Sequence, residues 1–277
     1  MQGRDGSLGD SFGLFTAALR DLWAARRMHA ALSVIVTLPL TVIGLLGLLD
    51  PLYAAMAGER QTQGLGLAII LFFLWGVTWN APAVVLWYRR FLLGPEQLLR
   101  IAVPDLIQRS LWFALYYVAM VIVGMGASLL LLTLLGAVLA MLGGGDFSAL
   151  PLVVVMFSVL CYLASRLSLV FAGITLGRRV SFQDSWQRTK GRGMTIFGAF
   201  TLAVLLAMIA SGTVSSVLAM LTGANTEGAA TPPAIYFFID LVASPFAYAS
   251  AALPAAIAAE VYRRLMGEPV DVSGIRV

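Results

Sequence analysis

Six long apolar runs, separated by short polar stretches, set the pattern of this chain. They begin near Ala31, Leu65, Leu111, Pro151, Met194 and Ala234, and each holds the ~20 residues that a helix needs to cross a bilayer. The runs predict spans over 31–50, 66–88, 111–141, 151–176, 194–222 and 234–260. The third is the longest, about 45 Å at the helical rise per residue. It exceeds the ~30 Å hydrocarbon layer, so it must tilt, protrude or bend near Gly124 and Gly126.

Amphipathic segments lie between the runs. Over 11–28, Phe12, Phe15, Leu19, Leu22 and Trp23 recur at helical spacing with Asp21 opposite them. That pattern predicts a helix lying flat in the membrane interface, capped by Asp10 or Ser11. Ser181 followed by Asp184, with Gly191 as a stop, predicts a second short helix that carries Trp186 against the membrane. The loop from Phe91 to Arg109 stays apolar around Pro95 and Pro104, which predicts short, half-buried helices. The expected fold is all-α and polytopic: six transmembrane helices with interfacial amphipathic helices on the cytoplasmic side. Residues 1–28 form the interfacial segment, 29–264 the six-helix domain and 265–277 a tail.

Composition agrees with this layout. The chain is 60% hydrophobic and only 12% charged, far from the ~25% charged of soluble domains. Charge adds the orientation. Sixteen of the eighteen Lys and Arg residues fall on one side of the predicted spans, Arg60 falls on the other, and Arg166 lies within a span. By the positive-inside rule both termini face the cytoplasm, and a multi-pass protein of a bacterial inner membrane is expected. A net charge of +4 gathered at one interface suits anionic phospholipid rather than nucleic acid. The expected headgroup contacts are Arg89, Arg90, Arg178, Arg179, Arg188, Lys190, Arg192, Arg263 and Arg264.

In the last run, Ala243, Ala247, Ala251, Ala255 and Ala259 recur every four residues. Such a stripe lets helix backbones approach closely in lipid. It predicts a central packing helix, with a homodimer or membrane-partner seam through Ala243, Ala247 and Ala251 as the other use. Pro245 and Pro254 should kink the helix.

Catalytic chemistry is hard to find. Cys161 is the only cysteine and His29 the only histidine, and no paired carboxylates, phosphate-binding glycine loop or activated nucleophile stands out. Neither enzyme activity nor a cofactor or metal is expected. What remains are polar groups within the spans, which are costly in lipid and so point to function. Arg166 lies about 22 Å from the outer end of its span, and Asn80 and Tyr248 about 21 Å from theirs. On parallel helices the three would meet at one level, as a candidate ligand or lipid site. Asp240 is an intramembrane acid only about 9 Å deep, too far to pair directly with Arg166. Snorkelling toward the interface is the other reading of Arg166.

Two segments carry a resemblance. Tyr88-Arg89-Arg90-Phe91-Leu92-Leu93-Gly94, and Ser165-Arg166-Leu167-Ser168-Leu169 followed by Ser181 to Gly191 (SFQDSWQRTKG), resemble a group of bacterial polytopic membrane proteins. That group is similar to the membrane domain fused to some glycerophosphodiester phosphodiesterases. The resemblance implies an inner-membrane location; the phosphodiesterase domain itself has no counterpart here. The expected function is that of a non-catalytic accessory, scaffold or lipid-interacting component. The alternative is a small transporter or channel for an anionic or lipidic solute, with its midplane site around Arg166.

Overall fold

The computed structural model describes residues 10–52, 63–98, 100–141, 149–223 and 233–266. Arg60, the turn Gly143 to Asp146 and the tail beyond Met266 lie outside these residues. Among the described residues the chain is helical, with no strand.

The chain opens with α1 (Ser11–Ala24), α2 (Arg26–Leu45) and α3 (Leu65–Trp75). One π-helical turn, Gly76–Asn80, joins α3 to α4 (Ala81–Leu93). There follow α5 (Val103–Met141), α6 (Ala149–Arg166), α7 (Ser168–Leu176), α8 (Phe182–Arg188), α9 (Gly193–Thr222) and α10 (Pro233–Met266). Five single helices or helix runs are long and apolar enough to cross a membrane. The pair α6–α7, bent by 50°, makes a sixth span when counted as one. The outward surfaces of α5 and α9 bear this out: Ile122, Val123, Leu130, Met220 and Leu221 are each at least 60% exposed. A soluble protein would not leave so continuous an apolar belt in water.

At the centre stands α10, packed against α9, α2, α4, α1 and α7. Its half nearer the arginine-rich end of the bundle is closed on every side: Ala252, Ala255, Ala256, Ala258 and Ala259 have no exposed surface. Association within lipid depends on van der Waals contact, and methyl groups are what permit it here. A second close approach brings α5 to α6. There, a Cβ on Gly124 would sit 2.5 Å from Leu160 Cδ2. The helix α5 runs unbroken past Gly124 and Gly126, so Gly124 serves contact rather than a bend.

The amphipathic segments depart from expectation in detail. The N-terminal helix starts as predicted, the Asp10 carboxylate accepting from the Gly13 N–H at 2.6 Å. It stops earlier, at Ala24, and Arg26 already belongs to the spanning helix α2. Its buried face is Leu14, Ala18 and Leu22, set against α9 and α10, while Phe12 and Trp23 stay exposed. The packed face is therefore rotated from the predicted stripe and shares with it only Leu22 and the partly buried Phe15. An ion pair between Asp21 and Arg263, 3.5 Å apart, fastens α1 to the end of α10. The short helix α8 carries the predicted capping box. Hydrogen bonds from Ser181 hold the Asp184 carboxyl below the usual carboxylate range.

Candidate functional site

Arg166 ends α6 at the bend, and its environment is defined by α8. Its carbonyl accepts the Ser185 hydroxyl at 2.7 Å. In return, the guanidinium donates through Nη2 to the Trp186 carbonyl at 2.7 Å and through Nη1 to the Thr189 carbonyl. These are carbonyls of the last helical turn, so the cation also meets the negative end of the helix dipole. The Trp186 ring covers the guanidinium at 4.3 Å, and Gly193 lies against its stem, where a Cβ would sit 3.0 Å from Cδ. With 5% of its surface exposed, Arg166 forms a two-way latch between the break in one span and the short polar helix. The Arg-Leu segment and the Ser-Trp segment noted in the sequence are the two halves of this latch.

Asn80 and Tyr248 occupy a different place. Both line an open-sided cavity of about 1550 Å³ bordered by α2 to α7, α9 and α10, and Arg166 is not in its wall. Similar depth does not bring the three together, because the Arg166 side chain turns onto the carbonyls of α8. The cavity extends from Asp50 and Tyr236 toward Tyr88, Phe113 and Phe171. Asp240 also lines it, as does the π-helical turn through Gly76, Val77 and Asn80. A π turn widens the backbone locally and leaves a carbonyl out of the α-helical pattern, a feature found disproportionately at functional sites. No residue cue in the sequence announced it.

The alanine stripe divides at the same level. Ala243, Ala247 and Ala251 form part of the cavity wall, whereas Ala255 and Ala259 are packed between helices. The first three, expected to pack against neighbouring helices or to offer a seam for a partner, border the cavity. Behind the wall, Trp87 is fully buried between His29 and Tyr248, at ring separations of 5.5 and 5.9 Å. His29 donates from Nε2 to the Pro245 carbonyl at 2.7 Å. The Tyr248 hydroxyl lies beside Thr37.

The basic residues grouped as headgroup contacts divide into four kinds. Arg179, Arg188 and Lys190 are exposed, and Arg178 and Arg192 partly so. Arg263 and Arg264 grip Glu260 at 2.7 and 2.6 Å, and Arg263 also donates to the Phe91 carbonyl at 2.8 Å. Half-buried Arg90 faces a smaller cleft of about 360 Å³ with Asp21 and Arg263. Arg89 is the exception. It is buried, and donates to the Gln97 and Arg100 carbonyls at 3.0 and 3.2 Å. It pins the loop after α4 rather than facing headgroups.

Among the described residues, no three His, Cys, Asp or Glu side chains gather as a metal site would require. The chain matches no known protein family, no curated protein and no solved structure.

Proposed function

We propose that this is a non-catalytic, lipid-interacting protein of a bacterial inner membrane that holds an amphiphile between its helices, with both termini cytoplasmic. The cavity carries the reading. Its 1550 Å³ exceeds the ~300–1,000 Å³ of ordinary small-molecule pockets. Its wall is chiefly aliphatic and aromatic, with hydroxyl, amide and carboxyl groups set at intervals. A molecule with a long apolar part and a small polar part matches that wall better than a compact soluble metabolite. The exposed basic residues at one end add attraction to an anionic leaflet, and their asymmetry supports the orientation. The resemblance to phosphodiesterase-linked membrane domains is in keeping with a role near lipid.

Ala247 and Ala251 lie one turn apart on the cavity wall. Replacing both with tryptophan plants two indoles in the cavity without disturbing the closed half of α10. Lipid retained through detergent exchange, quantified by mass spectrometry, should fall several-fold in the double variant and persist when both become serine. Equal retention in all three proteins, or none in the parent, would sink the reading.

A further inference from the structure

The charge of the wall decides which kind of amphiphile fits, an inference that rests on the cavity-holding reading above. Two carboxylates line the cavity, Asp50 beyond α2 and Asp240 in the second turn of α10. Among the described residues no lysine, arginine or histidine lines it. The ion pairs described use Asp21 and Glu260 instead. Even Arg166, the cation nearest in type to a midplane charge, is turned away onto the carbonyls of α8. Ionisable side chains within spans pair with one another or mark the path of a charged ligand, and among the described residues Asp240 has no such partner in the wall.

The rings that line the same cavity have a matching preference. Phe72, Phe73, Trp75, Tyr117, Phe157 and Tyr236 all border the cavity. Aromatic faces attract cations and repel anions through their quadrupole, and the attraction grows where water is scarce. Tyr236 stands one turn before Asp240 on the same helix, and both reach the same space. An anion would meet like charge and electron-rich faces. A cation would meet a carboxylate and a ring.

We propose that the cavity selects an amphiphile bearing a positive charge, such as a lipophilic amine or quaternary ammonium compound, with Asp240 as its counter-charge. This opposes the expectation of an anionic solute held by Arg166.

The probes that test it are tetraphenylphosphonium and tetraphenylborate, nearly identical in size and opposite in charge. Their binding is measured by equilibrium dialysis to the full chain in phosphatidylcholine nanodiscs, with empty nanodiscs subtracted. The phosphonium should bind saturably and at least about tenfold more tightly than the borate. Asp240→Asn should weaken the phosphonium about tenfold and leave the borate unchanged, with Asp50→Asn as a second, independent removal of charge. The ratio in the unaltered protein decides the matter even if a variant folds poorly. Borate binding as tightly as phosphonium overturns the charge selectivity, and an unaltered phosphonium affinity in a folded Asp240→Asn overturns the role of Asp240. If neither ion binds while lipid is still retained on purification, the charge inference fails alone. If neither ion binds and no lipid is retained, both readings fail.

Discussion

Replacing Arg166 with alanine should lower stability by about 3 kcal/mol, the sum expected from two charge-assisted hydrogen bonds and a shielded cation–π contact once they are discounted for overlap. The loss is local in its consequence. The Trp186 and Thr189 carbonyls lose the guanidinium and keep only the Thr189 hydroxyl and the Arg192 N–H as donors, and α8 is left without its anchor. Trypsin should then cut after Arg188 or Lys190 in the folded variant, at sites far slower in the parent. Arg166→Lys should recover only part of the stability, because an ammonium cannot present the planar fork that reaches two carbonyls at once. Denaturant unfolding in micelles gives the energy, and timed proteolysis reports the release of α8. Lipid retention should be unaffected, since Arg166 does not border the cavity. Lost retention together with a protected α8 would place Arg166 in the binding site and overturn the latch.

The second large effect is expected at Trp87. Truncation to alanine removes a fully buried indole from between His29 and Tyr248 and should cost about 3–5 kcal/mol. Phenylalanine should cost no more than about 1.5 kcal/mol, because the indole N–H has no hydrogen-bond partner to lose. The gap between the two variants, read from unfolding midpoints in one detergent, separates ring packing from hydrogen bonding. A phenylalanine variant as damaged as the alanine one would mean that the N–H has a partner in the membrane.

The spans were legible because length and apolarity suffice to define them; five runs became single spans, and the fourth became the bent pair α6–α7. The capping box at Ser181 and Asp184 was legible for the same reason, being a local chemical rule. Arg166 was recognisable as unusual, but its partners were not. They are backbone carbonyls, which leave no residue-type signal, and they arrive through a bend that no proline or glycine marks. The stripe from Ala243 to Ala259 shows how spacing identifies a shared face without saying what that face meets. Two of its alanines touch other helices, and three border empty space. The buried side of α1 illustrates the same limit. Both Phe12–Trp23 and Leu14–Leu22 have helical spacing, and only the neighbouring helices chose between them.

The division along α10 has a mechanical consequence. Close-packed interiors resist compression, and from Ala255 to Ala259 every residue of the helix is fully buried. From Pro254 back to Tyr236 the helix borders the cavity instead, where neighbouring helices meet less steric opposition. Lateral pressure in the bilayer should therefore be taken up along the cavity-lining length of α10 before the buried length yields.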